Sequence, residues 1–450
     1  MMNALWIPFF ALSVAFAQDV ESGEPEDLTE AAAAAGELDE STLSQPEVLR
    51  WEVSEGTDGL LVRDTRVPLV RMIIDFPAGD YSPWFREAHA QEAFELQFYD
   101  SEGTLRARAD ALAAEVTLLV GHRRSQLQVA CLKRDTEAVL DLVKDVLANT
   151  DIQPAEIKRY AKNMQIGWKS NETDPDFRLK QTAVRMLHPE SDARRAAVEE
   201  PAEVLREVEA LVAARDALIR LPGRRVGFAG DLTLEEAQAF AKDLLPAVDP
   251  TERMTEPEFT LLKTDRPGQS DQQMANLNQA YFAYIGAMPA LTDERYPAFL
   301  LATHVLGGHF FSRLYVALRH DGGDTYGARA RPSSEVVEGS VALSTFTRAD
   351  NVARVHEKLV AVLKTFHGEG ITDEELSTGV AYYSGRLAFD RQAPGEQLAD
   401  VLRDEARGLG EGWDERVVDA MSKLTVDEVN AVIAEFYNPD KFTLIRLLPE

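Results

Sequence analysis

Cysteine is almost missing from this chain. Cys131 is the only one in 450 residues, so no disulfide can form within the molecule. It alternates with Leu127 and Val129 in a strand-like run, which predicts a buried core thiol rather than a reactive one. Basic residues are scarce as well. Lys and Arg total 47 against 76 Asp and Glu, a formal charge of −29, which argues against a nucleic-acid binder because phosphate backbones demand a basic surface. The dispersed acidity reads as solubility, or as an acidic surface that attracts basic peptides. The chain has no Walker loop, no G-x-G-x-x-G and no G-x-S-x-G elbow, so those nucleotide-binding and serine-hydrolase chemistries lack a carrier.

The first 17 residues contain neither Lys nor Arg. Ala4 to Phe16 is an apolar run too short for a comfortable membrane span, and Ala15-Phe16-Ala17 offers an A-x-A cleavage site before Gln18. A signal peptide over 1–17 is expected, and with it a periplasmic or secreted location; an uncleaved anchor is the alternative. No Cys follows the cleavage site, which speaks against a lipid anchor. Residues 18–48 are rich in Glu, Asp and Ala with almost no large apolar side chains, and read as a disordered acidic tether.

What remains is long enough for two cores. Gly59 to Arg63 and Val67 to Phe76 are β-rich runs around the Asp64-Thr65-Arg66 turn, which predicts a hairpin. A strand at Gln126 to Leu132, a helix at Thr136 to Leu147 and another helix from Pro154 follow. After a polar stretch holding Pro250, Pro257 and Pro267, the order recurs: a strand at Ser340 to Phe346, a helix at Asn351 to Phe366, and a helix opened by Gly370-Ile371-Thr372. Both halves are expected to close alike, with capping boxes Thr233/Glu236 and Thr425/Glu428. The expected plan is a domain over 49–248, a linker over 249–275 and a domain over 276–450. The fold class is α+β, built of two duplicated α/β domains.

One helix carries an incomplete motif, His89-Ala90-Gln91-Glu92-Ala93. In a zinc-peptidase helix of the H-x-x-E-H type, imidazoles at i and i+4 grip the metal while the Glu at i+3 acts as base. His89 and Glu92 fit the first ligand and the base, but Ala93 puts a methyl group where the second imidazole belongs. The third ligand should be a carboxylate on the helix from Pro154, yet the corresponding window, Gln165 to Ser170, holds no His, Asp or Glu. Catalytic zinc needs three protein ligands. Two are missing, so no metal is expected here, and the plain reading of His89 and Glu92 is a surface i,i+3 pair worth roughly a few tenths of a kcal/mol. His304 and His309, five apart, point about 140° away from each other on a helix unless the Gly307-Gly308 turn breaks it.

The second half offers a different pair. Leu306-Gly307-Gly308 precedes Ser312-Arg313-Leu314, then Leu318-Arg319, a Gly322-Gly323 loop and Tyr326. Arg319 should leave a helix end and Tyr326 enter the next strand, so that guanidinium and phenol converge across the loop. Two such donors suit a peptide carbonyl or its oxyanion. A surface Arg beside a half-buried Tyr is the alternative.

In this order, the residues Pro77-Ala78-Gly79, His89 and Glu92, Leu306-Gly307-Gly308, Ser312-Arg313-Leu314, and Leu318-Arg319 seven residues before Tyr326 resemble the insulinase/pitrilysin family of zinc peptidases, or inverzincins. The resemblance is to the short-chain branch that includes mitochondrial processing peptidase, and it covers nearly the whole chain after residue 49. It implies two duplicated α/β domains forming half of a clam shell. It further implies a non-catalytic, substrate-binding subunit of a heterodimeric periplasmic zinc endopeptidase, with Arg319 and Tyr326 holding the peptide and zinc carried by a catalytic homologue with an intact motif. No cofactor is then expected in this chain. A non-proteolytic scaffold or peptide-binding protein, and a self-sufficient metallopeptidase using an unrecognised site, are the alternatives.

Overall fold

The computed structural model describes residues 47–201, 207–252, 257–260, 268–333, 339–390 and 392–450. The expected signal peptide, and the tether up to residue 46, lie outside the described residues. The strands form two sheets. The first contains β1 (Val48–Ser54), β2 (Thr57–Arg63), β3 (Leu69–Phe76), β4 (Glu115–Val120), β5 (Ser125–Leu132) and β6 (Arg224–Gly230), in the order β1-β2-β6-β3-β5-β4. The second contains β7 (Gln269–Met274), β8 (Ala280–Ala287), β9 (Ala328–Pro332), β10 (Ser340–Thr347) and β11 (Thr443–Pro449), in the order β7-β11-β8-β10-β9.

Laid side by side, the two orders are the same. The run β2-β6-β3-β5-β4 matches β7-β11-β8-β10-β9, and the parallel β2–β6 pair has its counterpart in β7–β11. Every other pairing is antiparallel in both sheets. The fold is therefore α+β with a duplicated unit. Val48, read as the end of the tether, and Gln269–Met274, read as linker, are both strand residues.

The hairpin expected across Asp64-Thr65-Arg66 does not form. β6 inserts between β2 and β3, and β2 instead makes a hairpin with β1. The insertion depends on Gly230, whose φ of 124° and missing Cβ let Leu69 pass; a Cβ there would lie 2.0 Å from the Leu69 carbonyl oxygen. A hydrophobic run shows that a strand exists but not which strand it pairs with. The capping boxes are both formed. They do not correspond, however: the Thr233 helix follows β6, whereas the Thr425 helix precedes β11.

Long helices cover one face of each sheet, with Leu142, Val143 and Val146 packed beneath the first and Phe299, Leu359 and Ile433 beneath the second. The other faces are covered by exchange. Helix Pro175–Leu187, from the first half, sets Leu179, Ala183 and Leu187 on Ala283, Ile285, Ile445 and Leu447 of the second sheet. Helix Pro394–Ala406, from the second half, sets Leu398 and Leu402 on Leu60, Val62, Ile73 and Ala229 of the first. Apolar burial at about 25 cal/mol per Å² makes each crossing helix part of the other half's core. Ion pairs reinforce the second crossing, because Glu405 meets both Arg50 at 3.0 Å and Arg225 at 3.2 Å. No described helix is long and apolar enough to cross a membrane. Cys131 is buried at 5% exposure, where burial pushes its thiol pKa up.

Candidate functional site

The broken motif sits in a broken helix. Pro83–Glu87 forms one short helix, and a second, Ala90–Leu96, starts only after His89. His89 has φ 53° and ψ 35°, a left-handed conformation uncommon for any residue with a Cβ. It therefore flanks the helix instead of standing on its face as expected. Its Nδ1 lies 3.1 Å from Glu92 Oε1, and both side chains are half-buried rather than freely exposed. Gly79 ties this region to the first sheet: a Cβ there would stand 2.2 Å from the Gly121 carbonyl oxygen, and Asp80 and Tyr81 donate backbone hydrogen bonds into the β4–β5 turn.

Ala93 is completely buried in a small apolar cluster with Leu96, Ile152, Ile157, Leu211 and Ala214. The place of the second imidazole is therefore filled with hydrocarbon from two further segments of the chain. Gln165 to Ser170 lies within the helix Pro154–Thr173 and brings no acidic group. Glu95, one turn on, accepts a 3.3 Å hydrogen bond from Gln91 Nε2, and burial raises its carboxyl pKa. The residues present do not fit zinc. Among the described residues no group of three or more His, Cys, Asp or Glu side chains is placed to hold a metal.

The second-half site is built differently. Helix Tyr296–Gly307 ends where Gly307 meets β9, with a Cβ at that position only 2.3 Å from the Ala330 backbone nitrogen. The chain then folds back through Gly308, and His309 stacks on His304 with ring centroids 4.6 Å apart. The Gly307-Gly308 turn thus overrides the 140° separation expected for a continuous helix. His304 is buried, and burial first, then the neighbouring His309, lowers its pKa to about 4. Fold-back leaves Phe310 and Phe311 at the surface, 70% and 72% exposed.

Ser312-Arg313-Leu314 starts the next turn, with Leu314 and Leu318 facing the core and Arg313 held by Glu375 at 2.8 and 2.7 Å. Arg319 leaves the wide turn Val316–His320, and its guanidinium carbon lies 5.1 Å from the ring centre of Tyr326. This cation–π contact is the convergence expected from the spacing. Tyr326 itself lies two residues before β9 and is 74% exposed. Arg319 makes no ion pair, and the Tyr326 hydroxyl makes no hydrogen bond, among the described residues.

Asp324, missed in the sequence, sets the distance between the two. Its fully buried carboxylate pairs with Lys358 Nζ at 2.8 Å and with Arg354. Its backbone nitrogen donates to the Leu318 carbonyl at 3.0 Å, and its own carbonyl accepts from Thr347 Oγ1 at 2.6 Å. The loop between Arg319 and Tyr326 is thereby pinned at its middle. An Asp after Gly-Gly reads as a turn residue, which concealed this role. The exposed Phe310-Phe311 pair was also missed, although two adjacent phenylalanines one residue after a Gly-Gly turn are a usable signal.

Comparison with known proteins converges on one class. Residues 222–382 match the family model described as the peptidase M16 inactive domain. A 148-residue stretch is 24% identical to an uncharacterized zinc protease, YmxG, of Bacillus subtilis (strain 168), spanning 33% of this chain and 36% of that protein. The fold is similar to the crystal structure of a peptidase M16 inactive domain from Pseudomonas fluorescens, at TM-score 0.77 and 17% identity, over 90% of this chain and 98% of the other. It is also similar to the periplasmic protease PqqL of Escherichia coli, at TM-score 0.73 and 14% identity, over 97% of this chain but 49% of PqqL. Residues 222–382 thus carry the peptidase M16 inactive domain, and the described fold is similar to that of M16 inactive-domain structures.

Proposed function

We propose that this chain is the non-catalytic, substrate-holding subunit of a zinc endopeptidase, working beside an M16 homologue with an intact H-x-x-E-H motif. The observation that carries the reading is the pairing of opposites in one molecule. The fifth position of the motif is the buried Ala93, clustered with Ile157 and Leu211, while Tyr326 stands exposed beside a half-buried Arg319, their donors uncommitted among the described residues. A guanidinium and a phenol can both donate to a peptide carbonyl, and to the negative charge that grows on it when the partner's site attacks. PqqL supports two such units acting together, since this chain aligns with 49% of it. The apolar leader supports a periplasmic or secreted setting.

The experiment is a quenched-peptide assay on the chain, on a zinc-bearing homologue, and on their mixture. The mixture should form a complex and cleave peptides that neither cleaves alone. Losing one oxyanion-type donor typically lowers turnover about 100- to 1,000-fold, so Arg319→Ala should act in that range with assembly and zinc content unchanged. Tyr326→Phe should act more mildly, and His89→Ala and Glu92→Gln in this chain should matter little. A homologue fully active alone and indifferent to this chain overturns the subunit reading. Peptide binding without cleavage in any mixture would make the chain a peptide-binding scaffold instead.

A further inference from the structure

The Phe310-Phe311 turn does not stand alone. Phe310 meets Tyr315 edge-on, with ring centres 5.2 Å apart and planes at 84°. Phe311 stacks over His320 at 6.3 Å, and Tyr315 lies 6.1 Å from the same imidazole. Arg319 then links Tyr315, at 6.0 Å, to Tyr326, at 5.1 Å. Four aromatic rings, an imidazole and a guanidinium thus form one connected strip, with both phenylalanines and Tyr326 more than two-thirds exposed. Exposed large apolar residues set close together mark contact surfaces, whereas scattered ones need no explanation. Here they are also the residues that the fold itself uses least.

Resting on the substrate-holding reading, the geometry points to this strip as the specificity element of the site. It takes a large apolar side chain of an extended peptide against the exposed faces of Phe310 and Phe311 while Arg319 and Tyr326 hold a neighbouring carbonyl. The occupant follows from the chemistry of the strip. Its flat faces favour an aromatic or long aliphatic side chain, since aromatic pairs gain from offset or edge contacts beyond simple burial. Its polar groups next to the rings are donors, Arg319 and the Tyr326 hydroxyl, which fit the acceptor-rich edge of a peptide backbone. Its charge is positive in a chain of net charge −29, so it complements a neutral or acidic segment and disfavours a basic one.

The test uses the full-length chain and two fluorescein-labelled decapeptides, identical and uncharged except that one has Phe where the other has Ala. Anisotropy should show the Phe peptide binding about tenfold tighter or more, the low end of selectivity from one apolar side chain. The double variant Phe310→Ala/Phe311→Ala should bring that ratio close to one with unfolding behaviour unchanged. Arg319→Ala should weaken both peptides by a similar factor and keep the ratio. A ratio left intact by the double variant overturns the specificity strip while the Arg319/Tyr326 reading stands. An Arg319→Ala variant that binds both peptides like the wild type counts against that reading instead. Failure of the wild type to bind either peptide at millimolar concentration overturns the strip. So does a double variant that keeps its peptide ratio but loses association with a zinc-bearing homologue or a second copy, because the strip would then be a subunit interface.

Discussion

The broken motif and the Arg319/Tyr326 loop occupy opposite halves of a duplicated chain, and they use their residues in opposite ways. Around His89 the side chains have gone over to folding: Ala93 is core, and His89 and Glu92 pair with each other. Around Arg319 folding is done by other residues, namely Leu314, Leu318, Gly307 and the Asp324 clamp. The residues that could meet a ligand, Phe310, Phe311 and Tyr326, are left at the surface. A position with no chemistry to perform is subject only to packing, whereas one able to meet a ligand must stay uncommitted in the free protein. Substitutions should therefore have stability effects in the first region and binding effects in the second.

Acid is expected to make the largest difference to stability, and it tests how deeply the second region is anchored. His304 lies buried under the aromatic loop with its pKa lowered from 6.5 to about 4. His188 in the first half is buried too and lowered to about 4, by burial first and then by Arg194. Both imidazoles are neutral in the fold and take up protons more readily once unfolded. Their contribution is whole above pH 6.5 and is lost as pH falls from 6.5 towards 4, by up to about 3 kcal/mol each. Urea unfolding at pH 7, 5.5 and 4.5 should show this decline. His304→Phe, which keeps a ring in the stack, should remove part of it. An identical decline in the variant would mean that His304 is not titrating on unfolding, and that the loop rests on less buried ground than its geometry indicates.

Much of this contrast was legible in the residues and some was not. The missing ligand, the spacing of Arg319 and Tyr326, the capping boxes and the duplicated order of strand and helix are local patterns, and local patterns survive in sequence. Strand pairing did not, because β6 enters the first sheet from more than a hundred residues away and only Gly230 hints at its passage. The crossing helices Pro175–Leu187 and Pro394–Ala406 look like ordinary amphipathic helices; nothing local says that each covers the other half's sheet. His89 in a left-handed conformation was likewise invisible, since a helix motif says nothing about where the helix begins. Asp324 went unseen because its partners, Arg354 and Lys358, lie on a helix thirty or more residues further along.

An intermediate effect is expected from enlarging the side chain at Ala93 in the motif. Ala93 shares a buried apolar cluster with Ile157 and Leu211 and has no exposed surface. Ala93→Leu should destabilise the chain by about 1–3 kcal/mol, the usual result of forcing methylenes into a filled core. Ala93→His adds a buried polar ring at the same place and should lower stability similarly while binding no stoichiometric zinc. Thermal unfolding with elemental analysis checks both. A variant that keeps its melting temperature and takes up one zinc per chain would show that the motif is merely one residue from function, and the contrast between the two regions would fall.

The smallest effect is expected where the exposed surface is largest. Phe310→Ala removes a ring that is 70% exposed and whose described ring contact is to Tyr315, itself outside the buried core. Little buried area is lost, and an apolar surface is taken out of water in both states. Surface substitutions of this kind usually stay within about 0.5 kcal/mol, so the urea midpoint should scarcely move. Phe311→Ala should behave alike, because its contact with His320 is also at the surface. Set beside Ala93→Leu, the pair measures the comparison directly: a larger residue at Ala93 costs stability, and two lost phenylalanines in the loop cost almost none. A loss above about 2 kcal/mol in either loop variant would place these rings among the residues that hold the fold, because core truncations are what reach that size. The second region would then owe its aromatic residues to folding, as the first owes Ala93.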